Sequence, residues 1–207
     1  GAELLELALL VSEMRMRLQQ GEAHIVRLSF AGNAGETDFS SAWRQVGSAY
    51  ISSMDIRAAR PADLSAIAAL HDAAFGSTFE GKLVADLTRA DMAVVSLVAV
   101  EADAVVGHIL FSPLLVELDE APVMALALAP LGVRPDAQRK GVGGALVKAG
   151  LEEARRSGWE AVIVLGQPTY YRRFGFSPGL LAGFMGPFQG PDFMGLELRP
   201  GALSGRK

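Results

Sequence analysis

The segment Gln138-Arg139-Lys140-Gly141-Val142-Gly143-Gly144 is the part of this chain best able to hold a ligand, and its chemistry fits a pyrophosphate. Glycines let an anion approach main-chain amides without meeting a Cβ atom, and they adopt dihedrals that other residues resist. The turn runs straight into the strongest amphipathic helix pattern in the sequence. The free N–H groups and aligned peptide dipoles at such a start place roughly half a positive charge there. Arg139 and Lys140 add full charges. Two other phosphate turns fail by spacing. A dinucleotide fingerprint needs glycine three residues after Gly143, where Leu146 stands, and a P-loop needs a closing Lys-Ser or Lys-Thr pair, which is absent. Short glycine turns also arise from close packing of a helix start, and the pattern alone leaves that reading open.

Other residue types that do chemistry are sparse. With no cysteine there is no disulfide, no thiolate metal site and no acyl-cysteine intermediate, which fits a cytoplasmic protein. His24, His71 and His108 are far apart and show no metal-ligand spacing, so no metal is expected. His108, among apolar strand residues, reads as a hydrogen-bonded core histidine, with a general base as the alternative. Gly175-Phe176-Ser177-Pro178-Gly179 spells the nucleophile elbow of hydrolases. That elbow needs the residue after the serine to donate its N–H, and Pro178 has none. The hydrolase reading is rejected. Taken by themselves, Tyr170 and Tyr171 are aromatic packing on a short helix, and Glu80 is a favourable charge at a helix start.

Half of the 207 residues are hydrophobic, 20% are charged, and the net charge is −4. This composition fills a core and argues against a general nucleic-acid binder, whose affinity comes from neutralising phosphates. Residues 134–173 nevertheless carry eight basic side chains against four acidic ones, a bias suited to a small polyanion. No apolar run approaches the ~20 residues of a membrane span. Residues 4–11 are apolar but broken by Glu6 and lack a basic leader, so they make a poor signal peptide. The expectation is a soluble cytoplasmic protein without membrane or nucleic-acid partners; a homodimer stays open.

Stepping outward from the glycine turn, the pattern predicts a strand over 124–133 before it and a helix over 142–156 after it, then a strand over 161–165. Strand, crossover helix and strand imply a right-handed parallel unit. Strands over 94–100 and 105–111, joined by the tight Glu101-Ala102-Asp103-Ala104 turn, form an antiparallel pair. Earlier come a short strand at 56–58, a helix with Leu64, Ile67, His71, Ala74 and Phe75 on one stripe, and a second helix carrying Leu83, Val84 and Leu87. A short helix over 169–174 closed by Gly175 and a strand over 193–198 complete the list. Pro130 cannot donate to a ladder, so the strand around it is expected to bulge or splay. Residues 1–53 read as a separate extension of helix, short strand and serine-rich linker, with the main domain over 54–207.

Ala127-Leu128-Ala129-Pro130-Leu131-Gly132-Val133 followed by Gln138-x-x-Gly141-x-Gly143 resembles the acetyl-CoA motif of the Gcn5-related N-acetyltransferases. Tyr170-Tyr171-Arg172-Arg173-Phe174-Gly175-Phe176 resembles that superfamily's second signature. Gly107-His108-Ile109-Leu110-Phe111-Ser112-Pro113 and Phe193-Met194-Gly195-Leu196-Glu197-Leu198 are similar to its YhbS-like bacterial branch. The resemblance covers roughly residues 54–202. It implies an α/β fold with a mixed, mostly antiparallel central sheet, a splayed parallel strand pair and flanking helices. It implies acetyl-CoA as cofactor, held by Leu131, Gly132 and Val133 along the pantetheine and by Gln138, Arg139, Lys140, Gly141, Val142, Gly143 and Gly144 at the pyrophosphate. It further implies Tyr171 as the proton donor to the thiolate and Glu80 as a residue facing, or deprotonating, the acceptor. The activity implied is direct transfer of acetyl to a primary amine of a small molecule or peptide. The alternative is a non-catalytic acyl-CoA-binding domain of the same fold.

Overall fold

The computed structural model describes residues 54–118, 121–182, 184 and 188–204; the elements expected within 1–53 lie outside the described residues. Among these, six strands lie side by side in chain order: β1 (Met54–Ala58), β2 (Val95–Glu101), β3 (Ala104–Leu118), β4 (Ala121–Val133), β5 (Ala161–Leu165) and β6 (Phe193–Glu197). Every neighbouring pair is antiparallel except β4 with β5. The mixed, mostly antiparallel sheet expected from the sequence is therefore the sheet observed.

Four α-helices flank it: α1 (Leu64–Phe75), α2 (Phe79–Arg89), α3 (Val142–Arg156) and the short α4 (Pro168–Tyr171). Side chains alternate across a strand, and β3 sorts the helices to two faces accordingly. Leu110 packs with Ile67, Val84 and Leu87 of α1 and α2, whereas its neighbours Ile109 and Phe111 pack with Leu146 and Val147 of α3. Gly150 lets α3 press onto Phe111, since a Cβ there would stand 2.3 Å from Cε2 of that ring.

Local chemistry sets the boundaries. Ala102 and Asp103 link β2 and β3 with φ of 45° and 63°, the positive pair that a two-residue hairpin turn requires. Asp63 accepts the Arg60 amide at 2.7 Å and pairs with Arg57, fixing the entry to α1. Gly76, at φ 70°, ends it. Helix α3 occupies the residues predicted for it. The β3–β4 hairpin is longer than the pattern suggested, reaching Leu118 and restarting at Ala121 rather than ending near 111 and resuming at 124. Its outer half is held by a second apolar cluster. Leu114, Val116 and Leu118 pack with Leu181, Ala202 and Leu203, partners a local pattern cannot reveal.

The irregular part is the end of β4. It pairs with β5 only through Ala125–Ala127 against Ala161–Ile163, yet continues to Val133. On its other edge Ile109 faces Leu131 while Phe111 faces Leu128, so Ala129 and Pro130 together oppose Leu110. Two residues against one is a β-bulge, which bends the strand. The bulge at Pro130 and the splay from β5 are those expected.

Candidate active site

The gap between β4 and β5 opens at Ala127 and leads past Leu131, Gly132 and Val133 to the glycine turn. Leu131 and Val133 are half-buried and turn their side chains to the α3 core, while Gly132 is buried against α1. The turn has the conformation of an anion cradle. Arg139 has φ 62° and Gly141 φ 93°, and left-handed residues placed this way gather successive amides into a concavity. Gly141 is the N-cap of α3 and no side chain caps that end. The amides of its first turn are thus left for a ligand or water. Gln138 does not project from the cradle. Its Nε2 donates to the Val133 carbonyl at 3.0 Å, tying the end of β4 to the turn.

Gly143 also has a packing role. A Cβ on Gly143 would stand 2.7 Å from the Tyr170 hydroxyl, and one on Gly144 would stand 3.7 Å from Arg173 Nη2. The bareness of Gly143 makes room for α4, whereas a Cβ on Gly144 would make only ordinary contact. The Arg173 guanidinium sits 4.0 Å from the Tyr170 ring centroid, a cation–π contact. Tyr170 and Arg173 therefore lie beside the turn. Tyr170 packs against the core, as the sequence reading had it. Its place next to Gly143 leaves no local signal, because it depends on how α4 meets the start of α3.

Tyr171 lies at the splayed end of β5. Its ring covers Gly166, where a Cβ would come within 2.5 Å of Cε2, and meets Tyr170 and Phe176 edge-on at 5.0 and 5.6 Å. Desolvation first, and the Tyr170 phenol second, raise its pKa well above the ordinary value of 10. It is a neutral hydroxyl throughout the usual pH range. Gly175, at φ 95°, closes the 3₁₀ turn Arg172–Phe174 that follows α4.

Glu80 occupies the first turn of α2, buried to 3% exposure, and its Oε2 accepts the Ser77 hydroxyl at 2.6 Å. It stands on the α1–α2 side of the sheet, whereas Tyr171 packs with the α3-side core. On that same α1 side, two histidines 37 residues apart in sequence touch: His71 Nε2 and His108 Nδ1 are 2.9 Å apart. His108 is a hydrogen-bonded core histidine as expected, and its partner is another histidine. Ser177 is occupied with structure, pairing its backbone with Gly195 and accepting the Gly179 amide at 3.2 Å. Among the described residues no cluster of three metal-ligating side chains occurs.

A sheet that parts between its one parallel strand pair, with an uncapped glycine helix start at the end of the gap, defines an acyl-CoA-dependent acyltransferase fold. Residues 55–179 match the Acetyltransferase (GNAT) domain, and the chain belongs to that family. It is 42% identical over 119 residues to the uncharacterized N-acetyltransferase YjhQ of Escherichia coli K12, covering 56% of this chain and 65% of YjhQ, just under two thirds of that relative's length. Among solved structures it resembles the GNAT family N-acetyltransferase YhbS of Escherichia coli in complex with CoA, at 32% identity and a TM-score of 0.67 over 73% of this chain and 85% of that one. A GNAT family acetyltransferase from Brucella melitensis in complex with acetyl-CoA is 36% identical, with a TM-score of 0.60 over 71% and 89% of the two chains.

Proposed function

We propose that this chain transfers acetyl from acetyl-CoA to a primary amine by direct attack within a ternary complex. The observation that carries this reading is the parting of β4 from β5 beyond Ala127, ending at the uncapped start of α3. The residues present suit the cosubstrate. An unpaired strand edge accepts a pantetheine chain as if it were a further strand, through main-chain groups of Leu131 and Val133. The amides of Lys140 to Gly144, with Arg139 and Arg173 beside them, fit a diphosphate.

Acetyl-CoA supplies an activated thioester; the chain must hold it, polarise its carbonyl and manage protons. A main-chain N–H at Leu131, just past the bulge at Ala129–Pro130, would donate to the carbonyl oxygen as negative charge develops there, and one such donor is worth ~3 kcal/mol. Tyr171 would donate to the sulfur as it leaves. Its raised pKa makes it a weaker acid but keeps the proton in place at every working pH. Glu80, buried on the acceptor side, would meet the amine. With no cysteine in the chain, an acyl-cysteine route is closed.

Thiol release from acetyl-CoA, measured across a panel of peptide amino termini, lysines, polyamines and amino acids, tests the reading. Amine-dependent release is expected with at least one class. Tight CoA binding with no turnover on any amine would instead favour a non-catalytic acyl-CoA-binding domain, and no binding at millimolar CoA would remove both.

A further inference from the structure

Past the bulge, β4 is held in the plane of the sheet from one side only. Arg134 donates its amide to the Val106 carbonyl at 2.9 Å, and His108 faces Gly132 in register. Main-chain groups alternate across an antiparallel ladder, so Gly132 turns its N–H and C=O to β3. Leu131 and Val133 turn theirs to the side that β5 has left. Perpendicular to the sheet, Leu131 and Val133 are fixed by side chains packed on the α3 core. Gly132 has no side chain, so its level depends on what presses against it from α1.

His71 supplies that pressure. A Cβ on Gly132 would stand 2.6 Å from His71 Nδ1, 2.7 Å from its Cε1 and 2.9 Å from Leu70 Cδ2. The same ring edge continues to Nε2, which lies 2.9 Å from His108 Nδ1. One edge of one imidazole therefore spans both members of the His108–Gly132 pair. His108 Nε2 in turn lies 3.0 Å from Oγ of Ser96 on β2, a half-buried residue. Both rings are wholly buried. Burial lowers the pKa of His71 to about 4, and burial followed by the charge of His71 lowers that of His108 to about 3. Each ring is thus neutral and carries one N–H. His71 Nδ1 has no hydrogen-bond partner. An N–H at that nitrogen would drive its hydrogen into the Gly132 Cα–H, whereas a lone pair leaves room. The hydrogen is therefore assigned to His71 Nε2, which donates to His108, and His108 Nε2–H donates to Ser96. A buried polar atom without a partner calls for an account, and here the account is a ring placed for its shape and its other nitrogen.

We propose that His71 is a positioning residue for acetyl transfer: held by His108, it sets the level of Gly132 and thereby aims the Leu131 amide at the thioester carbonyl. The proposal rests on the acetyltransferase reading of the β4–β5 gap. His71 touches neither cosubstrate, and no proton passes through it. Leu131 directly precedes Gly132, and the Ala129–Pro130 bulge on its other side interrupts the ladder. A shift at Gly132 is therefore passed to the Leu131 N–H instead of being absorbed by β3. Such a donor works at about 2.7–3.1 Å from the oxygen it serves, so a displacement well under an ångström matters.

Isotope-edited infrared spectroscopy of bound acetyl-CoA reads the contact directly, because a hydrogen bond to the thioester carbonyl lowers its stretching frequency. The wild type should lower that frequency relative to free acetyl-CoA, and His71→Ala should return it most of the way. In the same variant kcat, with an amine found in the turnover panel, should fall about 100-fold, the size of losing one oxyanion donor. CoA has no acetyl carbonyl, and its affinity should stay unchanged. His71→Gln keeps a donor near the place of Nε2 and should lie between the wild type and His71→Ala in both readouts. Ser96→Ala removes one neutral hydrogen bond from His108 and should lower kcat about 5-fold; as the milder change it decides the matter if His71→Ala folds poorly. Wild-type frequency and kcat in the folded variants, CoA affinity falling in step with kcat, or a wild-type carbonyl bound at its free frequency each overturn the positioning role and leave the acetyltransferase reading intact. A wild type that binds no acetyl-CoA and acetylates no amine overturns both.

Discussion

The two faces of the sheet at β3 and β4 are built differently. On the α3 face these strands present Ile109, Phe111, Leu126 and Leu128, an apolar layer that fixes α3 so that main-chain amides can grip an anion. On the α1 face the same strands present His108 and a bare Gly132 to His71. One face is apolar packing beside a backbone turn, and the other brings buried titratable side chains together. Glycine serves both. Gly150 admits Phe111, and Gly132 admits an imidazole.

The sharpest way to break this contrast is acid. A histidine held neutral by burial takes up a proton on unfolding once the pH falls below its unfolded value near ~6.5. Stability from His71 and His108 is therefore complete above about 6.5 and is lost as pH falls toward the folded values of about 4 and about 3. The slope is ~1.4 kcal/mol per pH unit per ring. Asp63, lowered to about 2 chiefly by its bond to Arg57, adds its loss only below the normal carboxylate range. Urea unfolding near pH 5 should show uptake approaching two protons per molecule from these rings. Uptake near zero would mean the α1 face is not the buried neutral pair described.

Next in size is a purely steric change on the other face. Gly150→Leu forces side-chain atoms into the Phe111 ring, and overpacking of this kind costs ~3 kcal/mol or more. Its melting curve should drop with no change in pH dependence. Unaltered stability would show that α3 is not pressed against β3 as closely as the structure has it.

Two substitutions then separate grip from chemistry. Tyr171→Phe should lower kcat about 100-fold and leave acetyl-CoA affinity alone. In the wild type no loss of rate from ionisation of this phenol should appear below pH ~10, because its pKa is raised. Gly143→Val should do the reverse. It displaces the Tyr170 hydroxyl and with it Arg173, weakening CoA binding about 10-fold, or ~1.4 kcal/mol, at near-constant kcat with saturating cofactor. Equal effects on both parameters in both variants would erase the distinction.

How much of this could be read in advance divides along the same line. Helix α3, its glycine start and the splay at Pro130 were legible, because each is a local pattern: an apolar stripe, bare Cα atoms before it, a residue that cannot donate. The extent of the β3–β4 hairpin was not, since Leu114, Val116 and Leu118 find their partners near residues 181 and 203. Nor was the histidine pair with its serine. Ser96, His108 and His71 come from two strands and a helix, and nothing within ten residues of any of them points to the others. Tyr170 shows the same limit on the cradle side. Backbone sites announce themselves through residue type, whereas sites made by apposition of side chains wait for the fold.

The smallest expected effect concerns residues 1–53. The family match begins at Asp55, and β1 pairs from Met54 to Ala58 with β2, so the first strand of the sheet starts where the extension ends. Both sides of the comparison, the α3 cradle and the α1 histidines, are built from residues after that point. We propose that the catalytic domain begins at Met54 and that residues 1–53 serve another purpose. A chain starting at Met54 should melt within a few degrees of the full one and keep its kcat and acetyl-CoA affinity. Loss of folding would assign residues 1–53 to the core; loss of turnover with folding retained would assign them to the acceptor side, where α1 and α2 bring Glu80 and His71.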